Sequence, residues 1–233
     1  MRRVWVLALL PLAGCSSTQS KSAALKAAAV DRPHERAFTV GKANPDVRFG
    51  PGTILHDENG TAVVLPVRAK AGLQHVPLSF DLLTGDGARA YRNDTPGLDT
   101  SLVSVPVLER GKSLLWVDDQ VIPTGDPVKI QARAGDAKPL GGAPPKIQLQ
   151  AVKLVDDATE GQSVTGRVHN ASTVEQRRLV IYLAGLRGTK VTAAGRAIVP
   201  RLKAGATAKF TAFLIGDPKG VRITAAAPPT TLP

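Results

Sequence analysis

The chain has 233 residues, and its 30 Lys/Arg against 19 Asp/Glu leave a formal charge of +11. Cys15 is the only cysteine, Met1 the only methionine, and aromatic residues make up 4% of the chain. Those counts exclude a disulfide framework and a zinc–cysteine site, argue against copper handling through thioethers, and leave few rings for a sugar-binding platform.

At the N-terminus, Arg2 and Arg3 precede Val4 to Leu12, an apolar run too short to span a bilayer. Leu12-Ala13-Gly14-Cys15 follows, and this stretch resembles the lipobox of bacterial lipoproteins. The resemblance implies that residues 1–14 are a signal peptide and that Cys15 carries the lipidation, a diacylglyceryl thioether with palmitate-type acyl chains. It also implies an extracytoplasmic protein, lipid-anchored to a bacterial membrane and mature from Cys15. The alternative is an ordinary secretory signal whose cysteine is incidental. Residues 15–45 are rich in Ser, Ala and Lys without apolar alternation and read as a flexible tether. Within it, Ala23 to Ala29 could form only a marginal helical turn or two.

Two blocks follow, 46–134 and 146–226, each expected to be a β-sandwich. In the first, Val63/Leu65/Val67, Phe80/Leu82, Leu114/Trp116 and Val128/Ile130 alternate with their neighbours. In the second, the sets are Ile147/Leu149/Ala151, Val164/Gly166/Val168, Leu179/Ile181/Leu183, Phe210/Ala212/Leu214 and Val221/Ile223. Turn signals such as Glu58-Asn59-Gly60, Thr84-Gly85-Asp86-Gly87, Glu109-Arg110-Gly111 and Asp217-Pro218-Lys219-Gly220 separate them. Residues 135–145 (GDAKPLGGAPP) read as a Pro/Gly linker, and 227–233 as a tail. The fold class is therefore all-β, two tandem immunoglobulin-like sandwiches after the tether.

An internal repeat supports the tandem reading. Val105-Pro106-Val107-Leu108-Glu109-Arg110-Gly111 with Trp116 five residues on matches Val199-Pro200-Arg201-Leu202-Lys203-Ala204-Gly205 with Phe210 five on. Phe80 to Leu83 is likewise expected to parallel Val180 to Leu183. Gly166-Arg167-Val168-His169-Asn170-Ala171-Ser172, then Val180 to Leu183, then Leu202 to Gly205 and Phe210, resemble FxLYD-type domains. Val64 to Val67, Phe80-Asp81-Leu82 and Asp86-Gly87 make the first block similar to the related telokin-like domains. Ala184-Gly185-Leu186-Arg187-Gly188 departs from the FxLYD pattern, which has aspartate and glycine after the middle strand. The resemblance implies small immunoglobulin-like sandwiches of bacterial surface lipoproteins and names no activity.

Charge separates the blocks. Residues 46–134 hold nine Lys/Arg against eleven Asp/Glu, and residues 146–226 thirteen against five, balances of −2 and +8. If Leu179, Ile181 and Leu183 face the core, Arg178 and Tyr182 face solvent. The same phase argument puts Arg167 and His169 outside, with Lys209 beside them. Arg177, Arg187, Lys190, Arg196, Arg201 and Lys203 fall in turns or at strand edges. Arg167, Arg178, Lys209, Arg187 and Lys190 are thus the candidate contacts for a polyanion, either acidic lipid headgroups or an anionic envelope polymer. The bland alternative is that these cations only solubilise exposed strands and protect their edges. The same surface is electrostatically acceptable to nucleic acid, but location and the lack of a stacking platform argue against that partner.

His34, His56, His75 and His169 stand in no nucleophile motif and at no metal-ligand spacing. Asp81, Asp86, Asp94, Asp99, Asp118 and Asp119 lack the spacing of a calcium loop. No catalytic residue, metal site or cofactor is expected. The expected function is a non-enzymatic interaction or structural module of the cell envelope, contacting anionic polymer, lipid or another envelope protein. A small-solute or ion carrier, binding at a domain junction or sandwich mouth, is the alternative.

Overall fold

The computed structural model describes residues 40–157 and 161–233. The leader, Cys15 and the tether as far as residue 39 lie outside the described residues. The first half contributes β1 (Val47–Phe49), β2 (Thr53–Asp57), β3 (Gly60–Ala69), β4 (Leu73–Leu83), β5 (Arg89–Arg92), β6 (Ser104–Leu108), β7 (Ser113–Val121), β8 (Lys129–Ala134) and β9 (Lys138–Pro139), with a 3-10 turn at Thr100–Leu102. The second contributes β10 (Ile147–Asp157), β11 (Gly161–Asn170), β12 (Gln176–Arg187), β13 (Lys190–Leu202), β14 (Thr207–Phe213), β15 (Ile215–Gly216) and β16 (Arg222–Ala226). The protein is all-β, and its strand pairings are antiparallel apart from one isolated bridge.

Each half is a sandwich of two sheets. In the first half β3 pairs with β1 and β2 along one edge and β7 along the other, while β4 is flanked by β5, β6, β8 and β9. In the second, β11 lies between β10 and β14, and the facing sheet runs β15-β13-β12-β16. Phe80 of β4 and Trp116 of β7 meet edge to face, ring centroids 5.8 Å apart, across the first core. Val164, Val168 and Phe210 close the second core against Leu179, Ile181 and Leu183.

The two sandwiches are stacked on each other. Val180, Tyr182, Ala184, Ala194 and Ile215 of the second half belong to the same buried cluster as Val64, Trp116 and Val117 of the first. Four sheets therefore form four layers, and the two middle sheets are buried on both faces. The local sequence explains this. Ala62-Val63-Val64-Leu65 and Leu179 to Ala184 are unbroken apolar runs, which suit strands covered on both sides. Tyr182, expected at solvent, is instead 1% exposed and faces the first half, because its alternation phase points toward a second core rather than water.

The topology of the second half repeats that of the first. Gly111 and Gly205 both turn with positive φ (73° and 69°), and their N–H groups donate to Ala69 O and Asn170 O at 3.0 and 2.9 Å. His75 and Arg178 occupy the same left-handed kink, φ 51° and 49°, in the corresponding strands β4 and β12 of the two halves. Trp116 lies opposite Leu65, and Phe210 opposite Gly166. A Cβ on Gly166 would come within 2.6 Å of the Phe210 ring, so the glycine makes room for it. Because Val76 pairs with Val105 and Leu179 with Val199, Phe80 corresponds to Leu183. The expected alignment of Phe80 with Val180 is three residues out of register.

The start of the 135–145 segment is held against the first half, beginning with Gly135 N–H, which donates to Pro77 O at 2.8 Å. Lys138 and Pro139 pair with Gln74 and Leu73, and Leu140 N–H donates to Gly72 O at 2.9 Å. At the C-terminus, the buried Gln176 accepts from Thr230 and Thr231 N–H at 2.9 and 3.1 Å and donates to Thr231 O at 3.1 Å.

Candidate functional site

Strands β10, β11 and β14 turn one face to the second core and the other outward. Val164 and Val168 point in, so Thr165, Arg167 and His169 point out, and the register places Lys209 directly opposite Arg167. Gln150 lies on the other side of Arg167, and Lys153 opposite Thr165. His169 Nδ1 meets Thr207 Oγ1 at 3.0 Å. Lys153, Thr165, Arg167, Lys209 and Thr211 rim a shallow depression of ≈ 350 Å³ over Gly166 and Phe210. Arg167, Lys209 and Lys153 are exposed and form no ion pair with a described residue.

The remaining predicted cations are dispersed. Arg178 crosses to the first half and pairs with Asp99, so it is a junction residue rather than a free contact. Arg187 donates to Asp217 Oδ2 at 2.9 Å and to Lys219 O at 2.6 Å, while Lys190 stays exposed opposite it at the hairpin tip. Arg201 and Arg177 share Glu175. Of the five predicted contacts, two pairs lie directly across neighbouring strands, Arg187/Lys190 and Arg167/Lys209, and only in the second does neither cation have a carboxylate partner among the described residues. Lys153, which had no alternation argument because β10 carries a bulge between Gln150 and Lys153, joins this second pair.

Arg196 departs furthest from expectation. It was placed at a turn or strand edge, yet its side chain is 2% exposed between the halves. Its Nε donates to Asp119 Oδ1 at 2.9 Å, its backbone N–H to Oδ2 at 3.1 Å, and Nη1 to Ser101 Oγ at 2.7 Å. Ser101 Oγ in turn donates to Asp99 Oδ1 at 2.6 Å, which links the Arg196–Asp119 pair to Arg178. Burial pulls the Arg196 guanidinium down, but Asp119 and Asp118 outweigh it and its pKa is raised. For Asp99, burial pushes up while hydrogen bonds from Ser101 and the Arg178 cation outweigh it, so the carboxyl lies below its ordinary value. Part of the charge difference between the blocks is thus spent on joining them.

Asp118 is fully buried, accepts one bond at Oδ1 from Gln120 N–H at 2.9 Å, and has no partner at Oδ2. Burial, only partly countered by Arg196, pushes its carboxyl up to about 7. Of the other aspartates tested against a calcium loop, Asp119 holds Arg196 across the junction and three have roles in their own half. Asp81 is held low by its bonds with Arg92 at 2.7 Å, Asp86 takes the Thr84 hydroxyl in a turn, and Asp99 caps the 3-10 turn. Among the described residues no group of three or more His, Cys, Asp or Glu side chains is placed to hold a metal ion.

A second concavity, an open cleft of ≈ 630 Å³, lies where the halves meet the linker and the C-terminal segment. Leu108, Leu114, Pro144, Pro145 and Pro228 line it, and its Glu109 and Lys112 pair with each other at 2.7 Å. Compared with protein-family models and with curated proteins, the chain matches none. The class that fold and site define is a stacked, duplicated all-β sandwich with one basic outer face.

Proposed function

We propose that this protein is a lipid-anchored envelope lipoprotein, held to a bacterial membrane through Cys15, that acts as a non-enzymatic interaction module. The observation that carries the reading is the exposed pair Arg167 and Lys209, directly opposed on neighbouring strands without a carboxylate partner among the described residues. Such a pair attracts anions, and its attraction is screened as salt rises. The buried asparagines of the two halves are engaged in structure. Asn170 donates to three carbonyls at 2.8–3.3 Å, and Asn93 bridges Leu78, Phe80 and Leu102. That use of Asn170, in the segment that resembles FxLYD-type domains, supports reading the second half as an immunoglobulin-like module. Acyl labelling and cell fractionation test the anchor: Cys15→Ser should lose the label and leave the membrane fraction or remain unprocessed. Continued labelling of Cys15→Ser would refute it.

The carrier alternative rests on the junction cleft. Native mass spectrometry of the purified protein discriminates: a stoichiometric co-purifying small molecule favours the carrier, and a bare chain mass favours the interaction module.

A further inference from the structure

The duplication supplies a comparison between two equivalent sheet faces, one covered and one free. In the first half Pro66/Leu115 and Val64/Val117, with Ala62 and Asp119 at the register shift beyond them, occupy the outer face of β3 and β7, which lies under the second half. The matching positions of β11 and β14 are Arg167/Lys209, Thr165/Thr211 and Ser163/Phe213. Solubility alone asks for polarity, and interspersed opposite charges meet that need. This face instead sets two cations directly across an antiparallel pair, an arrangement that destabilises a sheet. Lys153 on the next strand adds a third, and the rows Gln148/His169/Thr207, Gln150/Arg167/Lys209 and Lys153/Thr165/Thr211 contain no carboxylate. An anionic occupant relieves that repulsion. A planar guanidinium with neighbouring hydroxyl donors suits phosphate oxygens, which accept both charge and hydrogen bonds.

Where the chain enters the fold indicates which way this face looks. Asn44 N–H donates to Ala134 O at 2.8 Å, at the end of β8 in the opposite outer sheet. Facing sheets lie roughly 10 Å apart, so the basic face stands on the order of 20–30 Å from that point, across the stack. The entry point thus lies across the stack from the cations, and the 28 residues between Cys15 and Asn44, up to roughly 90–100 Å long when extended, leave room for this face to stand clear of a membrane holding Cys15.

We infer that the outer face of β10, β11 and β14 binds a phosphate-bearing polymer that stands off the membrane, through Lys153, Arg167 and Lys209; this rests on the proposed anchoring at Cys15. The test uses the full-length chain carrying Cys15→Ser, with immobilised poly(glycerol phosphate) and phosphatidylglycerol vesicles as probes at low salt. Lys153→Gln/Arg167→Gln/Lys209→Gln should weaken polymer binding by about tenfold or more. Arg177→Gln/Arg187→Gln/Lys190→Gln, which removes the same charge elsewhere, should leave it within about twofold. Vesicle binding should be the same for both variants. Equal losses in the two variants, or no loss in either, would overturn the proposal, as would a face variant that loses vesicle binding and keeps the polymer. Circular dichroism verifies that each variant is folded. The anchor fails by a different readout, acyl labelling at Cys15, and its failure would overturn the outward placement while the polymer assay still reports the binding chemistry.

Discussion

Asp118 makes stability depend on pH in a direction opposite to most carboxylates. In the unfolded chain an aspartate titrates near 4, whereas in the folded protein burial raises Asp118 to about 7. Below about pH 4 both states hold the proton. Between about 4 and 7 the folded state holds it and the unfolded state does not, so stability falls as pH rises through that window. Asp81 and Asp99, both lowered, contribute the reverse, stability that is lost as pH falls below their ordinary range. Urea unfolding of wild type and Asp118→Asn isolates the first effect. The variant should gain stability relative to wild type from pH 5 to pH 8, by roughly 1–3 kcal/mol at the top of the range. Arg196 offers a second residue-level test. Arg196→Ala strands the Asp119 carboxylate and should cost about 3–5 kcal/mol. Replacing both partners by apolar residues, Arg196→Met with Asp119→Leu, should recover most of that loss in the same assay.

At the scale of strands and turns, the repeated glycines act through their backbone. Gly111 and Gly205 have positive φ and open space where a Cβ would stand, so Ala at either should cost about 1 kcal/mol, from conformation alone. Gly166→Ala should cost more, because its methyl meets the Phe210 ring, and thermal melts of the three variants should rank accordingly. Most of these elements were legible in the sequence. Alternation about Val168 placed Arg167 outside, and the V-P-x-L-x-x-G repeat located both turns and both core aromatics. The same logic failed at Tyr182 because it assumes one wet face, whereas Leu179 to Ala184 and Ala193 to Ala197 bury both, and Arg196, expected in a turn or at a strand edge, falls in the middle of that second buried run. The unbroken apolar run was the available signal. Gln176 left no such signal, since an amide that captures Thr230 and Thr231 depends on a contact more than fifty residues away.

For the whole molecule, what sequence patterns could not supply was the way the two sandwiches meet. Their composition and repeat read as tandem units, and the charge balances of −2 and +8 set the two blocks apart. In the fold, Asp119–Arg196 and Asp99–Arg178 join acidic and basic halves, and Gly216 N–H donates to Asp57 at 2.8 Å across the same junction. Val64, Val117, Val180 and Tyr182 each bury a side chain there, at roughly 1.5–3 kcal/mol apiece. Burial on that scale couples the halves into one cooperative unit, which fixes the basic face on the far side of the stack from the chain's entry. Differential scanning calorimetry of the full-length protein tests this coupling most directly. One transition with equal calorimetric and van't Hoff enthalpies is expected, shifted as a whole by Arg196→Ala. Two resolved transitions, only one of them moved by Arg196→Ala, would contradict it.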